Sequence, residues 1–155
     1  MHEIISNKLF VPINDGIDHI NIYSKGKTEL GQLLSNFAYT PIIHPEYGNF
    51  NSIEGFWYWL KTGKIHEELR MLSGIRAKKL GQQFTKVEVS NFNSEIKNMM
   101  MLKLEQHPKI FKKLTDSVLP LTHYYYFGLD SSPKITYLPQ YKWITDYWEQ
   151  LRNLK

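Results

Sequence analysis

Residues 51–63 read NSIEGFWYWLKTG, and the conformation of this stretch decides the fold. Asn51 or Ser52 offers a side-chain oxygen to the first free amides of a helix, and Gly63 supplies a stop. The spacing therefore predicts a helix that runs to Thr62. At about 100° per residue, Ile53, Phe56, Trp57 and Leu60 fall in one apolar stripe, the expected core face. Glu54, Tyr58 and Lys61 fall in a second stripe beside it. Glu54 and Lys61 stand two turns apart, roughly 10 Å along the axis, which is too far for an i,i+4 ion pair. Such a separation suits two side chains that hold opposite ends of one sugar, with Tyr58 between them and Trp57 at the border. The other reading of the same stripe is a solvated charged edge. Gly55 is expected to leave an open patch on the far side.

Upstream, DHINIY (18–23) alternates between turn residues and reads as a strand. Gly26-Lys27-Thr28 imitates the end of a phosphate-binding loop, but Asn21 stands where the first glycine of that motif belongs, so the motif is rejected. Residues 33–50 are irregular, broken by Pro41, Pro45 and Gly48, with a short strand expected at 40–43. Downstream, helices dominate. A short one is expected at 65–71 and another, capped by Ser73, at GIRAKKLGQQ. A long one begins near Asn93 and ends before His107, and the next carries Pro108 in its first turn, where a missing amide costs nothing. LPLTHYYYFG and KITYLP read as strands, and QYKWITDYWEQLRNL as a closing amphipathic helix. The class is α+β, a predominantly α-helical single domain over 1–155 with a single layer of a few short strands. Residues 1–17 are expected to be a loosely ordered N-terminal segment.

The chain has 155 residues, of which 42% are hydrophobic and 14% aromatic, enough to build one real core. It has no cysteine, which excludes disulfides, thiolate metal sites and a cysteine nucleophile and fits a reducing cytosol. The N-terminal MHEIISNKLF has no basic start followed by a long apolar stretch, and no run approaches a membrane span. A cytoplasmic chain without a membrane partner is expected. The formal net charge of +4 points to an anionic partner such as nucleic acid or a nucleotide, or is the mild basicity of many soluble domains. The six histidines lack ligand spacing, so no metal is expected, and no cofactor.

Several short motifs occur in a telling order: Leu34-Ser35-Asn36-Phe37, then Ser52 and Glu54 with Lys61, then Ala77-Lys78-Lys79-Leu80-Gly81, then Met99 to Lys103. Together they resemble the NADAR family of YbiA-like proteins, over roughly residues 20 to 150. The chain departs from the family pattern at Gly55, where most members carry His, and at Phe92, where Trp is usual. It also lacks the family's Asp-x-x-Trp-Gly signature. The resemblance implies a YbiA-like α+β fold and an N-glycosidase, a hydrolase that cleaves a ribose-to-nitrogen bond. The substrate types it implies are ADP-ribose on guanine in nucleic acid, the first choice here, and the phosphoribosylamino-pyrimidine intermediates of riboflavin synthesis. Links to NAD and ADP-ribose metabolism, and to phages, whose members would act in the host cytoplasm, come with it. A non-catalytic module that binds ADP-ribose or nucleic acid is the alternative from another class.

An N-glycosidic bond breaks through an oxocarbenium-like state, with positive charge growing on the sugar and negative charge on the leaving base. A carboxylate beside the sugar can stabilise the first, activate water or protonate the second, and Glu54 is the candidate. Lys61 is the second catalytic candidate, either holding oxygens as a cation or attacking the anomeric carbon as an amine. Trp57, Tyr58 and Trp143 are candidates to stack on a nucleobase. The resemblance adds Ser35, Asn36 and Phe37, with Asn36 either bonding a sugar hydroxyl or capping a turn. Arg76, with Lys79 on the same face, reads as a diphosphate contact or a solvated basic face. Lys103 points into the site or to solvent. Asp130 is a second carboxylate of the site or a turn cap. His123 and Tyr125 share one strand face, read as hydrogen-bonded structure.

Overall fold

A computed structural model describes residues 9–154. The chain begins with a 3-10 turn at Pro12–Asn14, then β1 (Ile20–Asn21), α1 (Glu29–Leu34), β2 (Ile42–His44) and β3 (Gly48–Phe50). Next come α2 (Ile53–Lys61), a 3-10 turn at Glu67–Met71, α3 (Gly74–Gly81), α4 (Phe92–Gln106) and α5 (Pro108–Asp116). The last third holds β4 (Leu121–Thr122), β5 (Tyr124–Phe127), β6 (Lys134–Tyr137), a 3-10 turn at Pro139–Tyr141 and α6 (Lys142–Arg152).

Helix α2 sits at the centre. Ser52 is its N-cap: the hydroxyl oxygen accepts from the Gly55 amide at 3.0 Å and donates its own proton to Leu72 O at 2.9 Å. The apolar stripe of Ile53, Phe56, Trp57 and Leu60 is buried as its period requires, but Trp59 is buried too. Its indole N–H donates to Glu67 at 2.7 Å, and the Arg70 guanidinium lies over its ring. Both partners come from the 3-10 turn that packs on this side, which also corrects the reading of Gly55. No open patch exists there, because a Cβ at Gly55 would lie 2.4 Å from the backbone oxygen of Leu69. Glycine lets the turn's carbonyls approach the helix backbone directly. Gly81 plays the same part against α2 from α3, since a Cβ there would stand 2.2 Å from the Tyr58 ring.

The strands form three separate pairs rather than the single layer expected. β2 and β3 make an antiparallel hairpin turned at Gly48, whose φ of +89° favours a residue without a Cβ. β5 and β6 make a second antiparallel hairpin. β1 pairs in parallel with β4, Ile20 opposite Leu121 and Asn21 opposite Thr122. Only two residues of the expected strand over 18–23 are strand, because the Asn21 side chain takes over the pairing. Its amide donates to Tyr124 O at 3.0 Å and its carbonyl accepts from the Tyr124 amide at 3.0 Å. Asn21 is held in turn through its own amide by Asp15 at 2.9 Å, which also accepts from the Lys27 amide at 2.8 Å. The Gly26-Lys27-Thr28 stretch is thus a capped entry to α1, with the Thr28 hydroxyl accepting from the Gly31 amide. Within the segment expected to be loose, Pro12 and Asp15 are buried, so residues 12–15 are part of the packed fold. Residues 1–8 lie outside the described residues.

One core joins Leu30 and Leu34 of α1, the α2 stripe, Ile96, Met99, Met100 and Leu104 of α4, Ile110 and Leu114 of α5, and Ile144, Trp148 and Leu151 of α6. Burying each large apolar side chain contributes about 1.5–3 kcal/mol, so α2, α4 and α6 hold one another against the entropy of ordering the loops between them. Among the described residues, no helix is long and apolar enough to cross a membrane.

Candidate functional site

The second stripe of α2 opens on a cavity of about 310 Å³. Glu54 and Tyr58 line it with Trp57, and the Leu34-Ser35-Asn36-Phe37 segment forms a second wall. That segment is fixed to the helix start by the Glu54 amide, which donates to Asn36 O at 2.9 Å. From α3 and its C-cap come Lys78 and Gln82, from the β1 exit Ile22, Tyr23 and Ser24, and from the β4–β5 region His123 and Tyr125. Leu138, Gln140, Tyr141, Ile144 and Thr145 close the remaining side.

Glu54 is only 9% exposed. Burial pushes its carboxyl up to about 7, against a smaller opposing pull from Lys78. Desolvation dominates because the ring-lined wall offers little to stabilise a full negative charge. Tyr125 is raised to about 12, first by burial and then by the nearby Glu54 charge. The Tyr23 and Tyr125 rings stand 5.3 Å apart. The His123 Nδ1–H donates to Ile22 O at 2.6 Å, and burial lowers its pKa; the neutral ring then carries its lone pair on Nε2. The side-chain oxygen of Asn36 is buried and has no hydrogen-bond partner among the described residues. Among the described residues, no group of three or more His, Cys, Asp or Glu could hold a metal ion.

Of the residues singled out in the sequence, Ser35, Asn36, Phe37, Glu54, Trp57 and Tyr58 share this cavity. Lys61 does not line it. It lies in an adjoining groove, its Nζ 5.2 Å from the Trp57 ring centre and 4.9 Å from that of Phe92, so the side chains of Glu54 and Lys61 do not face one enclosed sugar. Trp143 stacks behind Trp57 at 6.3 Å and props that wall from outside. Lys103 points neither into the cavity nor to solvent. It is fully buried, donates to Ser35 O at 3.2 Å, and burial pushes its ammonium down to about 7. Asp130 sits away from the cavity and pairs with Lys27. Arg76 and Lys79 are exposed, and Lys78 between them supplies the cavity's lysine. Ala77 and Gly81 form the buried face of α3, which puts residues 78 and 82, one position on at each, along the same edge. That i,i+4 signal marks both cavity residues.

The chain has a YbiA-like α+β fold. A similar solved structure is the NMR structure of the E. coli protein YbiA, with a TM-score of 0.59 and 22% identity, covering 89% of this chain and 88% of that one. At this identity the likeness speaks for the fold. No protein-family model matches the sequence, and no curated protein matches it significantly.

Proposed function

We propose that the chain is an N-glycosidase that cleaves a ribose-to-nitrogen bond, removing ADP-ribose from guanine in nucleic acid. The observation that carries the proposal is Glu54: a buried carboxyl held near 7, in a cavity walled by Trp57, Tyr58 and Tyr125. A group with a pKa near the working pH is suited to move a proton in both directions. Undissociated Glu54 gives its proton to the leaving base nitrogen as the C–N bond breaks. The carboxylate so formed faces the growing positive charge on the ribose and then takes a proton from the water that attacks the anomeric carbon. The products are a free ribose hydroxyl and the protonated base, and Glu54 ends as it began. Asn36 offers its unpartnered oxygen to a ribose hydroxyl, and Lys78 its cation to a phosphate. The tyrosine and tryptophan rings exclude water, which strengthens each of these contacts.

At about 310 Å³ the cavity lies at the low end of small-molecule sites, roughly 300–1,000 Å³. It suits the ribosyl unit and its base, with the rest of the substrate outside. The same size keeps a phosphoribosylamino-pyrimidine in play as the second substrate class. The test is to incubate the protein with guanine-ADP-ribosylated DNA and, separately, with that pyrimidine, and to follow released ADP-ribose or ribose phosphate by mass spectrometry. Release from the DNA is expected, slowed at least ~10²-fold by Glu54→Gln with the circular dichroism unchanged. Release from the pyrimidine alone moves the reading to the small substrate. No release from either by folded protein, or full activity in Glu54→Gln, overturns it.

A further inference from the structure

The groove that holds Lys61 has a composition of its own. It is broader than the cavity of Glu54 and adjoins it across Trp57, Tyr58, Gln82 and Tyr141, which line both. Its far wall is the extended segment Lys86–Val89, tied to the end of α2 by the Val87 amide, which donates to Lys61 O at 2.7 Å. Two ammonium groups occupy it. Lys61 lies beside the Trp57 and Phe92 rings, which pack edge to face on each other. The Lys86 Nζ is fixed by donation to Gly81 O at 3.0 Å and Phe84 O at 2.9 Å and sits 5.7 Å from the Tyr58 ring. Neither forms an ion pair with a carboxylate among the described residues. Glu88, exposed at the rim, is the one acidic lining residue there. Cations steadied by rings and carbonyls, next to aromatic surface, form the pairing that single-stranded nucleic acids use: backbone charge on lysine, base faces on rings.

We propose that this groove binds the phosphodiester backbone of the single strand that carries the modified base, with Lys61 and Lys86 on successive phosphates and Phe92 or Tyr141 beneath a neighbouring base. The proposal rests on the glycosidase reading for the strand's identity. It adds that the scaffold leaves the cavity over Trp57 and Tyr58, and that Lys61 serves as a cation.

Binding is tested without catalysis, by fluorescence anisotropy of an unmodified, labelled single-stranded oligonucleotide over a series of salt concentrations. Wild type should bind, with affinity falling steeply as salt rises. Lys86→Gln and Lys61→Gln should each weaken binding several-fold at low salt and reduce the slope of log K against log salt by about 0.7, the value for one lost phosphate contact on a single strand. Lys113→Gln, remote on α5 and paired with Glu29, should leave both unchanged. Cleavage separates the two claims: Lys86→Gln should raise KM for an ADP-ribosylated oligonucleotide and leave that for ADP-ribosylated guanosine alone. Wild type that does not bind the oligonucleotide, or groove variants that bind it with the wild-type slope, overturn the groove assignment whether or not Glu54 cleaves anything. Variants that lose oligonucleotide binding, in a protein that cleaves no ribosyl bond, uphold the groove and overturn the glycosidase.

Discussion

Glu54→Gln should make the protein more stable above neutral pH while removing its proposed activity. In the native state the carboxyl titrates near 7, against an ordinary 4.5. The folded state therefore holds the Glu54 proton more tightly than the unfolded chain does. Below about 4.5 both states carry it and the residue costs nothing. As pH rises through the interval to about 7, the unfolded chain ionises first and native stability drains away. With about 1.36 kcal/mol per pKa unit, the full cost reaches about 3 kcal/mol at pH 8. The amide of glutamine is isosteric and never ionises, so it removes that cost. For a chain of this size, about 3 kcal/mol corresponds to roughly 6–12 °C in Tm. Thermal melts of the two proteins should nearly coincide at pH 4 and separate by pH 8, with the variant higher. Equal separation at both values, or a variant that melts lower at pH 8, would refute the desolvated-carboxyl argument. A buried catalytic carboxyl that destabilises its own fold is the familiar exchange of stability for function.

If undissociated Glu54 is the acid, kcat/KM should fall about tenfold from pH 6 to pH 8, and Lys78→Gln, by removing the charge that lowers the carboxyl, should move that falling limb to higher pH. A limb that stays in place or moves down would exclude Lys78 from the electrostatics of Glu54. Gly55→Ala should lower stability by about 1–3 kcal/mol through overpacking against Leu69 O, although alanine is the better helix former; a rise in Tm would show that the turn yields. Lys103, held near 7 against an ordinary 10.5, binds its proton more weakly when folded, so its cost is full below pH 7 and vanishes towards 10.5. Lys103→Met should thus raise Tm more at pH 6 than at pH 9.5, and equal gains at both would contradict an uncharged burial.

Helix periodicity fits α2, α5 and α6, whose apolar faces repeat with the helical turn, whereas α4 was legible from its ends at Asn93 and His107-Pro108. Ser52, Gly63 and Pro108 marked ends for local reasons that tertiary structure did not override. The strands were harder: β1 and β4 are two residues each and pair across the chain, so neither carries an alternating pattern long enough to bound. The cavity was half legible. Glu54, Trp57 and Tyr58 follow from the wheel of α2, and Ser35 to Phe37 from the motif order. Tyr23, His123 and Tyr125 were not, since the contact between Asn21 and the Tyr124 backbone that brings them in is a side-chain mimic of strand pairing. Lys61 was placed one stripe correctly and one groove away, because a wheel shows the direction in which a side chain leaves the helix and not which neighbouring wall divides the space it enters. Gly55 was misjudged for the same reason: a short helix was expected at 65–71, but no sequence pattern shows that it packs on this side of α2.

The amide exchange between Asn21 and Tyr124 spans 103 positions and has a consequence for the order in which the molecule is made. On either side of it stand Ile22 and Tyr23 from the first part of the chain and His123 and Tyr125 from the last. Closing so long a loop must await contacts that offset its entropy, whereas α2 and α3, separated only by residues 62–73, can dock as soon as both exist. During synthesis α2 and α3, which carry Glu54 and Lys78, are therefore in place long before the wall opposite them. A nascent chain halted before residue 121 would carry the carboxyl on an open face, with ordinary acidity and no enclosed space for a sugar. The chemistry proposed for this protein is switched on only when residues 121–145 have left the ribosome and folded back onto residues 21–24.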